Sequence, residues 1–201
     1  MLLRNNFRSS VTRTLTVSGV LLGASVASAQ ILEEVKVQGG RIEQQQFDTP
    51  ASVQVIDEAT LRSSGPQVNL SETLGRVPGV VSLNRNNYAQ DVQISIRGFG
   101  SRAPFGLRGI RLITDGIPAT TPDGQGQAST VSLTSAERIE VLTGPLAQLY
   151  GNAAGGVIQV FSKESSQTPT AQVQALTGSD GLSRSDWQFS QKSGNIGFLA
   201  D

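Results

Sequence analysis

The first thirty residues decide where this chain folds. Arg4, Arg8 and Arg13 make a positive opening with no acidic residue, and Leu15 to Val26 follows as an apolar run. Ala27-Ser28-Ala29 closes it with small residues at the spacing of a cleavage site. That order predicts a secretory signal peptide over 1–29, with Gln30 as the first mature residue. The apolar run falls short of the ~20 residues that a spanning helix needs. The remainder is therefore expected to fold outside the cytoplasm, and it does so without a cysteine. An exported domain with no disulfide depends on a packed core or on a scaffold around it. The chain has no histidine either, which removes His-based acid–base catalysis, Ser-His-Asp and Cys-His nucleophiles, and His-ligated zinc. Without the leader's three arginines, 13 basic residues face 16 acidic ones, a net charge of −3 with no basic face. Nothing in that balance points to nucleic acid.

Gln30 to about Asp48 reads as an extended, flexible stretch: Leu32-Glu33-Glu34-Val35-Lys36-Val37, then Gly39-Gly40, then Glu43-Gln44-Gln45-Gln46. It holds too little apolar surface to offset the entropy of ordering it, so alone it is expected to be mobile. Folded structure is expected from Thr49-Pro50 onward. Ser52 to Ile56 alternates like a strand, and Asp57 can N-cap a short helix through Leu61, ended by Gly65-Pro66. Asn69-Leu70-Ser71-Glu72 has the form of a capping box opening a second short helix through Leu74. Pro78-Gly79 breaks it before a strand at Val80 to Leu83. In the next strand Val92, Ile94 and Ile96 share a face opposite Gln93, Ser95 and Arg97. Further strands are expected at Ile110 to Thr114 (turned by Asp115-Gly116), Arg138 to Leu142 and Gly156 to Phe161, with a helical turn opened by Pro145. Two long polar loops, Gly98 to Gly109 and Pro118 to Gln127, interrupt them. The sum is a small mixed α+β unit of about 115 residues, an ordinary domain size.

From Thr170 the pattern changes. Ala171, Val173 and Ala175 alternate with Gln172, Gln174 and Leu176; after a turn at Gly178 to Gly181, Ser185, Trp187 and Phe189 alternate with Asp186, Gln188 and Ser190. Ser193-Gly194-Asn195 turns the chain again, into Ile196 to Ala200. One apolar face, one polar face and short turns are the signature of a transmembrane β-barrel. A strand still running at Asp201 reads as a truncated chain.

Six motifs in order carry a resemblance. They are Asp48-Thr49-Pro50-Ala51-Ser52-Val53, Leu74-Gly75-Arg76-Val77-Pro78-Gly79-Val80, Ile96-Arg97-Gly98-Phe99, Leu112-Ile113-Thr114-Asp115-Gly116-Ile117-Pro118, Glu137-Arg138-Ile139-Glu140-Val141-Leu142, and the run from Gly144-Pro145 through Tyr150-Gly151 to Gly155-Gly156-Val157-Ile158. Together they resemble the plug domain of TonB-dependent outer-membrane receptors of Gram-negative bacteria. The resemblance implies a signal peptide at 1–29, a periplasmic segment with a TonB box at 30–47, an α+β plug at 48–163, and at 164–201 the first strands of a 22-stranded transmembrane barrel. It implies TonB, with ExbB and ExbD, as the periplasmic partner, and the chain's own barrel and the outer membrane as surroundings. The expected TonB box is Glu33, Glu34, Val35, Lys36 and Val37, an alternating peptide able to add a strand to a partner's sheet edge. No cofactor, metal site or catalytic residue is implied.

Two loops are expected to bind substrate: Arg102, Phe105 and Arg108 in the first, Asp123, Gln125 and Gln127 in the second. Arginine forks grip carboxylates, a phenyl ring stacks on planar groups, and glutamine both donates and accepts, a set suited to a small anionic molecule. The loop wording is similar to a subgroup that includes the importer of pyrroloquinoline quinone, an aromatic tricarboxylate; ferric siderophores and other iron chelates are the commoner cargo of the family. Plugs of the family carry an Arg before Gly-Pro that holds the barrel. Here that place is Thr143, so Arg97 alone is carried over as a plug–barrel latch. Gly144, Gly151, Gly155 and Gly156 fall where the chain turns tightly or approaches another backbone. Two alternatives weigh less. Gly98-Phe99-Gly100-Ser101-Arg102-Ala103 has the outline of a dinucleotide fingerprint, but Pro104 and the following glycines oppose the helix that an exported dinucleotide-binding enzyme would need there. A signalling-type receptor needs an extra N-terminal domain, and some twenty residues are too few for one.

Overall fold

The computed structural model describes residues 36–38, 44–45, 52–84, 86, 91–103, 106–119 and 125–201. The signal peptide expected at 1–29, Glu33, Glu34 and Val35 of the expected TonB box, and Phe105 and Asp123 of the expected substrate loops lie outside the described residues. In chain order the elements are β1 (Lys36–Val37), β2 (Gln44–Gln45), β3 (Ser52–Ile56), α1 (Glu58–Ser63), α2 (Ser71–Leu74), β4 (Val80–Leu83), β5 (Gln93–Ile96) and β6 (Leu107–Arg108). There follow β7 (Ile110–Thr114), β8 (Ile117–Pro118), β9 (Gln125–Gly126), β10 (Ala136–Thr143), β11 (Gly156–Ser162), β12 (Thr170–Thr177), β13 (Ser183–Ser193) and β14 (Ile196–Ala200). No described helix is long and apolar enough to cross a membrane, which leaves strands untouched by that test.

A five-stranded mixed sheet in the order β3-β10-β11-β7-β8 organises the domain. Only β11 and β7 run parallel; the other neighbours are antiparallel. Gly156 to Val160 of β11 is buried without a break, the pattern of a strand covered on both faces. On one face Ile139, Val141, Ile158, Val160 and Leu112 join Leu61, Leu70 and Leu74 from the helices and Ile94 and Ile96 from β5 in the larger core. On the other, Val53, Leu142, Val157 and Ile113 form a smaller core with Val37, Ala147 and Ala153.

Local chemistry explains both helices. The Asp57 side chain accepts the Thr60 N–H at 2.8 Å and starts α1, while Leu61, 1% exposed, ties it to the core. The capping box expected at Asn69 to Glu72 is only half formed. Asn69 Oδ1 accepts from the Ser71 N–H at 3.0 Å, two residues on, the reach of an Asx turn. Glu72 spends its carboxylate backwards on the N–H groups of Gln67, Val68 and Asn69, at 2.6, 2.9 and 3.2 Å. The cause is Gln67, whose φ of 57° turns the chain so that three donors converge.

β12, β13 and β14 form a separate antiparallel meander. Its register puts Val173 beside Trp187 and Ala171 beside Phe189, and these apolar groups are open, Val173 at 61% and Trp187 at 70%. The alternation expected from the sequence is therefore present, with the apolar face turned away from the plug.

Part of the stretch expected to be flexible makes contacts with the plug. Lys36 and Val37 pair with Gln45 and Gln44, Val37 is 1% exposed in the smaller core, and the Gln38 N–H donates to both carboxylate oxygens of Glu140, at 3.2 and 3.0 Å. One valine finds an apolar socket, and a carboxylate in the sheet, itself fully buried, needs donors. Composition averaged over the segment hides both.

Candidate functional site

Arg102 and Arg108 are brought together. Both line one open cavity of about 340 Å³ with Gly98, Phe99, Gly100 and Ser101, and both are exposed. The two loops treated apart in the sequence are one unit here, because β6 pairs with β9 and sets Arg108 opposite Gln125. Gly106 permits that pairing: a Cβ there would lie 2.3 Å from the Gly126 carbonyl oxygen. Gln125 and Gln127 are exposed, though neither lines the arginine cavity. Among the described residues the aromatic group that does is Phe99, half exposed. Gly155 supports the loop from below, since a Cβ there would meet Phe99 Cβ at 2.7 Å. Gly98 to Ala103 forms turns and opens no helix, so the dinucleotide outline has no helix N-terminus to work with.

Arg97 sits in a left-handed turn with φ of 50°. Its N–H donates to the Gly79 carbonyl at 2.8 Å, its side chain is exposed, and it forms no ion pair among the described residues. Thr143 differs. It is 7% exposed, ends β10 opposite Ser52, and its hydroxyl donates to the Ser52 carbonyl at 3.4 Å. That side chain ties the end of β10 to β3.

Two groups escaped the sequence reading. Glu140 stands at the centre of β10, fully buried, held by Gln38 N–H and by Arg138 Nε at 3.1 Å. Arg138 lies in turn over the Phe161 ring at 4.1 Å, so its charge is shared between a carboxylate and a π face. The signal was present: an acidic residue inside the apolar run Ile139 to Leu142 requires a buried partner.

The second is a polar seam between plug and meander. Lys163 Nζ meets Glu58 at 3.1 Å, the Thr134 carbonyl at 3.2 Å and Gln188 at 3.4 Å. Burial alone would raise the Glu58 carboxyl, but Lys163 and Arg62 beside it hold it below its ordinary value. Arg184 donates to the carbonyls of Pro66 and Gln67 and pairs with Asp186 at 2.7 Å. The Ser190 hydroxyl accepts the Ser166 N–H at 2.8 Å, and Asp201 accepts from Ser132 at 2.8 Å and Thr134 at 3.1 Å. The meander residues in these bonds, Arg184, Gln188 and Ser190, all belong to the face opposite Trp187 and Phe189.

The TonB-dependent receptor plug domain model matches residues 45–157. The chain belongs to this family. Its place is that of the family's receptors, the outer membrane of a Gram-negative bacterium. The vitamin B12 transporter BtuB of Vibrio cholerae is 32% identical over 162 residues, covering 80% of this chain and 24% of the transporter. The ferric enterobactin receptor PirA of Pseudomonas aeruginosa is 30% identical over 173 residues, covering 73% and 22%. Among solved structures, the ferric yersiniabactin uptake receptor FyuA of Yersinia pestis superposes with a TM-score of 0.59 at 25% identity, over 72% of this chain and 22% of that one. The chain thus spans about a quarter of the length of the curated relatives it matches.

Proposed function

We propose that this plug gates TonB-dependent import of a small anionic molecule across the outer membrane. The observation that carries the reading is the meander: it bonds its polar face to the plug and turns Val173, Trp187, Phe189 and Phe198 outward. A plug seated in a lipid-embedded barrel needs that arrangement, with polar groups inside and an apolar band outside. The meander is then the start of the barrel wall, Arg97 is a free cation for a carboxylate elsewhere in that wall, and residues 1–29 are the removed leader.

Energy enters through the TonB box, Glu33 to Val37, which adds a strand to the periplasmic domain of TonB, driven by ExbB and ExbD. Backbone hydrogen bonds give that contact its strength and its tolerance of sequence. Arg102, Arg108, Gln125 and Gln127, with Phe105 and Asp123 of the same loops, receive the substrate. The relatives' names specify vitamin B12 and ferric enterobactin for those proteins. For this chain the paired arginines favour a carboxylate-bearing cargo, either a ferric chelate or an aromatic polycarboxylate such as pyrroloquinoline quinone.

Deleting 30–38 would remove the plug's own Val37 and Gln38 contacts, so Val35→Pro is the cleaner test. Proline deletes one backbone N–H from the extended peptide and leaves the described plug untouched. Uptake should fall to background while equilibrium binding at the cell surface stays within about twofold of wild type, a difference under ~0.5 kcal/mol. Normal uptake by that variant, or binding of neither a ferric chelate nor pyrroloquinoline quinone, removes the proposal.

A further inference from the structure

We propose a second binding site in this plug, for an aromatic carboxylate, in the cavity over β7 and β11 beside Gln38. Its use in transport rests on the import reading above; its existence does not.

The cavity measures about 750 Å³ and is lined by Gln38, Arg111, Ile113, Tyr150, Gln159 and Phe161 among others. That volume lies within the ~300–1,000 Å³ of small-molecule sites and is large for a single inserted side chain. The strand register places Arg111 beside Val157 and Ile113 beside Gln159. Arg111 and Gln159 are therefore diagonal neighbours on one sheet face, roughly 7–8 Å apart at their backbones and within joint reach of one small group.

Both lack partners. Gln159 is 6% exposed, and its side-chain amide has no hydrogen bond among the described residues. Buried amides are almost always paired, so one left open toward a cavity marks a place for a ligand. Arg111, half-buried, forms no ion pair or hydrogen bond through its guanidinium among the described residues. The two acids nearby are already engaged. Asp115 accepts from the Ser162 N–H at 2.8 Å and hydroxyl at 2.6 Å; Glu140, next to Gln159 across the β10–β11 pair, accepts from Gln38 and Arg138. What remains is a guanidinium fork and a side-chain amide lining one space with an aromatic wall at Tyr150. A carboxylate satisfies both donors at once, and a flat ring fills the space beside Tyr150.

Such a carboxylate has two possible sources, a diffusing molecule or an acidic side chain elsewhere in the receptor. The volume favours the first. Isophthalate is a suitable probe, with isophthalamide as its neutral isostere, titrated calorimetrically into the intact receptor in detergent. Isophthalate should bind, and Arg111→Met should weaken it about tenfold or more, the worth of a charge-assisted bidentate contact. Isophthalamide should bind wild type as weakly as isophthalate binds Arg111→Met. Arg111→Lys, which keeps the charge and guards against misfolding, should fall between. The double variant Arg102→Gln/Arg108→Gln should leave the affinity within about twofold, a change of under ~0.5 kcal/mol. The proposal is overturned if Arg111→Met binds as wild type does, if only the loop variant weakens binding, or if wild type binds no isophthalate. In the last case a carboxylate of the receptor's own chain resting on Arg111 in a structure of the intact protein identifies the cavity as a wall contact. Binding is measured without TonB, so it stands or falls separately from the uptake result with Val35→Pro.

Discussion

Two sheets in this chain obey opposite rules. The inner strands of the five-stranded sheet bury apolar residues on both faces, down to the unbroken run in β11. The three-stranded meander pairs just as regularly but leaves Trp187 70% and Ile196 78% exposed. Its polar residues make the contacts with the plug. The same alternation principle places side chains in both cases; what differs is the medium on the far side. On the proposed barrel reading, inside and outside are defined by lipid and lumen, and the plug–wall boundary is then polar on both sides.

The largest effect expected from this contrast is in the plug core. Ile158→Ala should cost about 2–5 kcal/mol, as a fully buried aliphatic group leaves a cavity. Val173→Ala should stay within about 0.5 kcal/mol in detergent, where that face packs against nothing in the protein. Hydrogen exchange of the sheet amides in the intact receptor measures both. Equal losses would break the comparison.

Changing the medium should reverse the order. In a bilayer, Trp187→Arg should cost up to about 2–4 kcal/mol according to its depth, whereas Gln188→Arg, one residue on but facing the plug, should cost little of that lipid penalty. Folding yields into vesicles of defined thickness report the difference. An Arg tolerated equally at both positions would show that the Trp187 face meets water, and would take the barrel reading with it.

Much of this was legible beforehand for a physical reason: short strands bounded by Gly, Pro and Asp-Gly turns declare themselves locally. Ser52 to Ile56, Ile110 to Thr114 and the three meander strands are all found where expected. So is the Asp57 cap. What was not legible depends on distant neighbours. The docking of Val37 and Gln38 uses Glu140, about a hundred residues away in sequence, and no local pattern reports such a contact. The β6–β9 pairing that unites the recognition loops is two residues long, below any periodicity signal. The box at Asn69 is half formed because the Asn69 side chain turns to the Ser71 N–H, two residues on, instead of reaching that of Glu72. Family resemblance already set Arg97 apart from Thr143; what it could not report is that the Thr143 hydroxyl bonds to the Ser52 carbonyl, 91 residues away in sequence.

The seam offers a smaller test. Arg184→Gln removes a charged donor from the Pro66 and Gln67 carbonyls. With the side chain 22% exposed, the loss should be about 1–2 kcal/mol, below the full value of a buried charged bond. It should appear as faster exchange at 67–70, where Glu72 also holds three amides, and not in the β10–β11 pair. A change spread evenly over the plug would mean that the seam carries global stability and is more than a local tie between plug and wall.

The smallest effect separates charge from capping at the edge of the plug. The side-chain and backbone hydrogen bonds of Thr60 hold the Asp57 carboxyl below its ordinary value of 3.8. A depressed folded-state pKa contributes stability that is complete above the unfolded value and is lost as pH falls through the folded one. At neutral pH, Asp57→Ala should therefore cost about 0.5–2 kcal/mol, mostly local to α1. Asp57→Asn should cost almost nothing there, since asparagine caps equally well. Under acid the two diverge: wild type loses the ionised cap as pH drops below about 4, while Asn, with nothing to titrate, keeps its stabilisation. Protection of the α1 amides, corrected for intrinsic exchange at each pH, should therefore be similar for the two proteins at pH 7 and higher for Asn at the acid end. The meander should show no such change with either substitution, because among the described residues the polar link from α1 to it runs through Glu58 and Lys163 and not through Asp57. A matching shift in the β12–β13 amides would mean that the helix and the wall unfold as one unit, and that the boundary between the two sheets is mechanically closed.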